Sequence, residues 1–161
     1  MSQEMPRTLK VVTVWLLAGT LLFLAVQAFL AQQQRARFQA LDMGVVELRR
    51  SPDGHFHWPA RVNGRPLEFL VDTGATRTAL PGALAAQLDL ERGRSVRSAT
   101  AGGLAEGHEA IVDLALEGGL RIERLRVTVL PELAAPLLGM DVLGRLRFTQ
   151  QDGVLRLEPR P

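Results

Sequence analysis

Residues 67–76 read Leu67-Glu68-Phe69-Leu70-Val71-Asp72-Thr73-Gly74-Ala75-Thr76 and place one acid directly behind an apolar run. Phe69-Leu70-Val71 is typical of a buried strand, because it combines branched and aromatic residues without a charge. A carboxylate at the end of a core strand loses hydration, so it must accept hydrogen bonds, share a proton or take part in chemistry. Asp72 is therefore the first candidate for a functional residue.

The residues that follow Asp72 suit a carboxylate site. Thr73 can donate a hydroxyl hydrogen bond, and Gly74 permits a close backbone approach that a side chain would block. Asp-Thr-Gly also suits an ordinary turn, in which the aspartate caps the turn and the glycine takes a positive φ. The three residues alone leave both interpretations open.

The wider sequence resembles the retropepsin-like aspartic peptidases, in particular their bacterial, membrane-anchored branch. Asp-Thr-Gly behind an apolar strand is similar to their active-site signature, and the longer word from Val71 to Thr76 is similar to the half-size members. A second motif, Leu137-Leu138-Gly139, resembles the strand that passes beside the catalytic turn in these enzymes. The resemblance covers residues 54–158. It implies an all-β, retropepsin-like acid-protease barrel with one or two short helices, in which Asp72 is catalytic and the supporting residues are Thr73, Gly74, Ala75 and Thr76.

This resemblance also implies a homodimer that cleaves peptides or proteins without a metal or other cofactor. The chain contains one Asp-(Thr/Ser)-Gly, whereas the chemistry needs two carboxylates. Two like charges about 3 Å apart cannot both ionise, so a pair of Asp72 side chains would share one proton and titrate as a unit. The resemblance places Thr73 in a hydrogen bond across the dimer interface.

Short strands separated by turn signals fill the chain from residue 44 onward, as in a small barrel or sandwich. Asn63-Gly64 is a hairpin signal, and residues 81–90 suggest a short helix that starts near Pro81.

A glycine-rich tip joins residues 95–100 to residues 108–116, which makes a flap candidate of Thr100, Ala101, Gly102 and Gly103; a plain surface hairpin is the alternative. The family tends to carry Asn where this chain has Gly102. Asp141 is expected to cap a short helix rather than to act as a second catalytic acid.

Residues 11–31 carry no charged side chain and are long enough for a helix to cross a bilayer. We expect a signal anchor here, between a tail at 1–10 and a stalk at 32–43, with the protease domain at 44–161; a cleaved signal peptide is the alternative. Basic residues flank the segment on both sides, so charge does not decide its orientation. The resemblance places it in the inner membrane with the domain in the periplasm.

Composition argues against several other classes of protein. The sequence pI is near 10.3, but 19 basic residues nearly balance 17 acidic ones. The sequence contains no basic run with interleaved aromatic residues, so nucleic-acid binding is not predicted. There is no cysteine for a thiolate site or a disulfide. His55, His57 and His108 lack an acidic ligand spaced to complete a metal shell, so no metal site is predicted. The competing function is a membrane-tethered binding or scaffold module that keeps the fold without turnover.

Overall fold

The computed structural model describes residues 7–35, 38–40, 44–100 and 103–160, and the chain divides into two compact units, Met1–Ala36 and Arg37–Pro161. The first unit contains helix α1, Arg7–Arg35. Within it, Val11–Phe29 has 19 residues with a mean hydropathy of 2.1 and is exposed along its whole length. A helix of this length and composition occurs both in membrane spans and in amino-terminal signal sequences. It is therefore a candidate membrane span.

The second unit is mostly β-structure with two short helices among its described residues, which confirms the predicted all-β class with one or two short helices. The strands are β1 Phe38–Ala40, β2 Val46–Arg49, β3 His57–Val62, β4 Arg65–Val71, β5 Ala79–Pro81, β6 Ser95–Thr100, β7 Gly103–Leu116, β8 Arg121–Leu130, β9 Leu137–Leu138, β10 Leu146–Gln151 and β11 Val154–Pro159. The helices are α2 Gly82–Gln87 and α3 Met140–Leu143.

Two sheets organise these strands. The smaller one has the order β1-β2-β11-β10, and the larger one has the order β3-β4-β9-β5-β8-β7-β6. Strand β3 also pairs with β7, so the larger sheet closes on itself and leaves β6 outside the closed part. Closure satisfies backbone groups that an open edge would leave unpaired.

The β3–β4 hairpin brings the chain to the Asp72 motif. Its turn consists of Asn63 and Gly64, at φ 50° and 80°, and Val62 pairs with Arg65. Positive φ at both turn positions is the geometry that Asn-Gly favours in two-residue hairpins, which confirms the predicted turn. The turn sets the register of the hairpin, so Trp58 pairs with Phe69 across the ladder.

The core packs between the barrel walls. Its largest fully buried side chains include Trp58, Phe69, Leu80 and Leu138. The indole N–H of Trp58 donates to the carbonyl of Glu117 at 2.8 Å, so the one polar atom of that side chain is satisfied inside the core. Burial of these side chains stabilises the sheet at about 25 cal/mol per Å² of apolar surface.

Two boundaries differ from the sequence predictions. Part of the predicted stalk is a strand, because β1 pairs with β2 through Gln39 opposite Glu47, so the β-structure begins before residue 44. The helix predicted over 81–90 is shorter, since Pro81 pairs with Leu130 as part of β5. Helix α2 ends before Asp89, which takes a φ of 51° that is incompatible with a continuing helix.

Candidate active site

Asp72 lies where β4 ends beside β9. The two strands run parallel with Val71 opposite Leu138, and the Asp72 N–H donates to the Leu138 carbonyl at 3.0 Å. On its other side, β9 pairs with β5 through Leu137 opposite Ala79. The turn that follows Asp72 therefore starts on one side of β9 and returns on the other, which fixes its two ends.

The turn itself holds the Asp72 carboxylate by one oxygen. The Gly74 N–H donates to Oδ1 at 2.8 Å, and the Ala75 N–H contacts the Asp72 carbonyl at 3.3 Å. In the part of the chain that the structure describes, no other group donates to this carboxylate. Asp72 is half-buried, and Thr73 and Gly74 are exposed. The second carboxylate oxygen is thus available to a water molecule or to another carboxyl group.

The second sequence motif, Leu137-Leu138-Gly139, lies beside this turn, where the resemblance places it. The N–H of Met140 donates to the Ala75 carbonyl at 2.8 Å, and the N–H of Asp141 donates to the Thr76 carbonyl at 3.2 Å. Gly139 lies so close that a Cβ at this position would come within 2.7 Å of the Arg77 carbonyl oxygen. The structure therefore brings Leu137-Leu138-Gly139 against the turn that contains Asp72, Thr73, Gly74, Ala75 and Thr76.

The predicted role of Asp141 is wrong. Gly139 occupies the N-cap of α3 without a side-chain capping bond, and Asp141 lies in the first turn. The Asp141 carboxylate instead accepts from the Thr78 N–H at 2.9 Å and from the Thr78 hydroxyl at 2.8 Å. The Thr78 hydroxyl in turn accepts from the Gly139 N–H at 3.2 Å. A buried threonine and an aspartate thus tie the two motifs together, a role that the sequence did not suggest.

Of the four residues of the flap candidate, the structure describes the first and the last, Thr100 and Gly103. Thr100 pairs with Gly103, which has a φ of 110°, and the Thr100 hydroxyl donates to the Gly103 carbonyl at 2.8 Å. Ala101 and Gly102 lie outside the described residues. Among the described residues, β8 pairs with β7 from His108 onward, so on the tip side of His108 the two arms of the β6–β7 hairpin pair only with each other. The hairpin thus extends beyond the part of β7 that pairs with β8, and its role as a flap stays a prediction.

This geometry agrees with comparisons to known proteins. A family model described as gag-polyprotein putative aspartyl protease matches residues 58–145. The chain belongs to this aspartyl protease family. A retropepsin-like aspartic protease from Rickettsia conorii is 28% identical over 70% of this chain and 89% of that one, with a TM-score of 0.56. The EIAV protease, solved with the inhibitor HBY-793, is 27% identical over 58% of this chain and 89% of its own, with a TM-score of 0.48. No curated protein matches.

One buried acid in this aspartyl protease chain was not identified from the sequence. The Glu109 carboxylate pairs with Arg77 at 2.9 Å and with Arg94 at 3.0 Å, and the Glu109 side chain is only 11% exposed. Hydrogen bonds from Arg94 and then from Arg77 hold the pKa of Glu109 below its usual value. This ionised acid connects the segment after the Asp72 motif to the β6–β7 hairpin.

The three histidines lie apart from any cluster of metal ligands. Over residues 7–35, 38–40, 44–100 and 103–160, no group of three or more histidine and acidic side chains is placed to hold a metal. His57 pairs with Asp53 at 2.8 Å; the backbone N–H of His55 and then the His57 side chain lower the pKa of Asp53. Burial, followed by the charge of Arg92, lowers the pKa of His108, whose Nδ1 is buried without a hydrogen-bond partner among these residues.

Proposed function

We propose that this chain is an aspartic endopeptidase that hydrolyses peptide bonds through the Asp72 side chains of two copies. The observation that carries the proposal is the Asp72 carboxylate, which accepts from the Gly74 N–H through Oδ1 and whose second oxygen has no hydrogen-bond donor among the described residues. Membership of the aspartyl protease family supports it, since Asp72 lies within the matched residues 58–145.

The proposed mechanism needs no covalent intermediate between enzyme and substrate. Two carboxyl groups about 3 Å apart share one proton, because two negative charges at this distance cannot both persist. The ionised Asp72 takes a proton from a water molecule, and the oxygen of that water attacks the scissile carbonyl carbon. The protonated Asp72 of the other copy donates to the carbonyl oxygen, which gives a tetrahedral intermediate.

The exposure of the turn supports a homodimer. Thr73 and Gly74 lie at the surface beside the half-buried Asp72, where a second copy related by a two-fold axis could meet them. An open half-site of this kind is what one protomer of a shared site would present. We assign Thr73 to a hydrogen bond across this interface.

We further propose that α1 tethers the protease domain to the inner membrane, with the domain in the periplasm. The candidate span Val11–Phe29 is long and apolar enough for this role. Confinement of two copies to one plane raises their effective concentration and thereby favours pairing. A reporter fused after Pro161 tests the orientation. Alkaline phosphatase activity is expected, and cytoplasmic fluorescence alone would overturn the placement.

Cleavage of a mixed peptide library by the full-length chain in detergent, from acidic to neutral pH, tests the proposed activity. The Asp72→Asn variant is expected to lose cleavage. Asp152→Asn is a matched control, because Asp152 is exposed in the β10–β11 turn at a φ of 50° that asparagine tolerates. A folded, dimeric wild type that cleaves nothing would favour the binding-module alternative, and an Asp72→Asn variant that cleaves equally well would overturn the catalytic role of Asp72.

A further inference from the structure

Glu109 lies where the β6–β7 hairpin leaves the closed part of the sheet. In the described part of the hairpin, the tip side of β7 pairs only with β6, whereas His108 and Glu109 pair with β8 opposite Val129 and Thr128. Gly107 marks the same point, because a Cβ there would overlap the Val129 carbonyl oxygen. The hairpin therefore has its root at residues 107–109.

Backbone hydrogen bonds join the two arms of the hairpin at this root. The Gly93 N–H donates to the Glu109 carbonyl at 2.7 Å, and the Glu109 N–H donates to the Arg94 carbonyl at 2.8 Å. A Cβ on Gly93 would come within 2.8 Å of the same Glu109 carbonyl oxygen, which explains a residue without a side chain there. Glu109 is thus the residue to which the incoming arm is attached.

The side chain of Glu109 contacts both the incoming arm and the segment that follows the Asp72 turn. Its Oε1 accepts from Arg77 and its Oε2 accepts from Arg94, so both carboxylate oxygens are bound. Arg77 directly follows Thr76, whose carbonyl is held by α3. Charge-assisted hydrogen bonds of this kind are stronger than neutral ones, and a buried carboxylate that loses its partners is destabilised.

We propose that Glu109 is a positioning residue that couples the β6–β7 hairpin to the catalytic turn through Arg77 and Arg94. This inference rests on the proposed peptidase function, because the hairpin is expected to hold substrate over Asp72. Glu109 touches neither substrate nor the reacting atoms. Its carboxylate fixes the angle at which the hairpin leaves the sheet relative to the turn that carries Asp72.

A second ion pair on the same hairpin provides the matched control. Arg97 and Glu106 approach to 3.4 Å with side chains that are 76% and 81% exposed. An exposed pair of this kind contributes little to stability. Glu106→Gln and Glu109→Gln therefore make the same chemical change on the same strand, once at the solvated surface and once at the buried root.

The first readout is steady-state peptide hydrolysis by the full-length chain in detergent. Glu109→Gln is expected to raise KM about tenfold with a smaller change in kcat, because a misplaced hairpin weakens substrate binding. Arg77→Gln is expected to reproduce this increase, whereas Glu106→Gln leaves KM within about twofold of the wild type. A purely structural role would lower the active fraction, and hence kcat, at constant KM; that result would overturn the proposal.

The second readout is amide hydrogen exchange over residues 95–100 and 103–108, which does not depend on catalysis. Glu109→Gln should accelerate exchange there by about tenfold relative to the wild type, while Glu106→Gln should not. Equal exchange in the two variants would overturn the coupling. If the wild type cleaves nothing, the proposed function fails, and this measurement still decides whether Glu109 anchors the hairpin.

Discussion

The carboxylate oxygen Oδ1 of Asp141 accepts two hydrogen bonds from Thr78, one from its N–H at 2.9 Å and one from its hydroxyl at 2.8 Å. Thr78 is fully buried, so neither donor has water as an alternative partner. Asp141→Ala should therefore lower the free energy of unfolding by about 1–3 kcal/mol, the cost of buried donors left without an acceptor. Urea denaturation of the compact unit Arg37–Pro161 measures this loss.

Asp141→Asn is the matched variant, because an amide oxygen can still accept from Thr78. We expect it to retain most of the stability that Asp141→Ala loses. Equal stability of the alanine variant and the wild type would contradict the assigned role of Asp141.

Gly139→Ala should damage both stability and activity. The added Cβ would come within 2.7 Å of the Arg77 carbonyl oxygen and 2.8 Å of the Thr78 nitrogen, and backbone atoms cannot rotate away as a side-chain end can. Overpacking of this kind costs about 1–3 kcal/mol. Because the displaced segment supports the Asp72 turn, we also expect peptide cleavage per folded molecule to fall. Thermal unfolding and a cleavage assay check the two effects, and an unchanged Tm would argue against this contact.

Acid should destabilise the domain in part through His108. The pKa of His108 in the folded chain is lowered from 6.5. As the pH falls, His108 therefore becomes protonated in the unfolded chain before it does in the folded chain. The free energy of unfolding consequently falls as the pH drops below 6.5 toward the pKa of the folded state. Arg92 contributes to this shift, and the neighbouring Glu109 carboxylate is already bound by two arginines. His108→Gln should flatten the pH dependence between pH 7 and 5 in denaturation experiments. A slope equal to that of the wild type would refute this assignment.

Glu109 acts in a lower pH range and in a different way. Its pKa is lowered from 4.5, so its contribution to stability is present above pH 4.5 and is lost as the pH falls through the folded value. Glu109→Gln should therefore be less stable than the wild type at pH 7, with a difference that narrows below pH 4.5. A difference that stays constant from pH 7 to pH 3 would show that the carboxylate charge is not involved.

Mixtures of wild-type and Asp72→Asn chains test whether one site needs two copies. If chains pair at random in an equimolar mixture, about a quarter of the dimers carry two intact carboxyl groups, so activity per wild-type chain should fall to about half. Mixing with Asp152→Asn chains instead should leave activity per intact Asp72 unchanged. Activity that stays proportional to the wild-type chain concentration would contradict a shared site.

The sequence predicted those parts of the fold that local chemistry determines. Asn63-Gly64 predicted a hairpin turn, which is present. The apolar run before Asp72 predicted a buried strand; it forms the end of β4, in which Phe69 is fully buried and Leu70 and Val71 are half-buried. Leu137-Leu138-Gly139 was placed beside the turn through a family resemblance rather than through any local pattern. The family, the fold class and the neighbourhood of the two motifs could therefore be stated in advance.

Contacts between distant segments could not be predicted in this way. Asp141 has the local pattern of a helix cap, and only its position opposite Thr78, 63 residues away in the chain, gives it another partner. From the sequence, Glu109 is an acid on an alternating strand and would be expected at the surface. Its burial results from contacts with distant residues such as Arg77. Strand β1 has a composition that also suits a helical stalk, and its pairing with β2 decides its conformation.

The position of β9 between β4 and β5 has a consequence for the order of folding. Asp72 receives its backbone partner Leu138 from a segment made near the carboxyl end of the chain, and Ala75 receives its partner from Met140. A chain still emerging from the ribosome can form the β3–β4 hairpin from local contacts, but its Asp72 loop has no framework until β9 arrives. We therefore expect the proposed active-site turn to be among the last parts of the chain to reach its final structure, and an incompletely synthesised chain to lack the proposed peptidase activity.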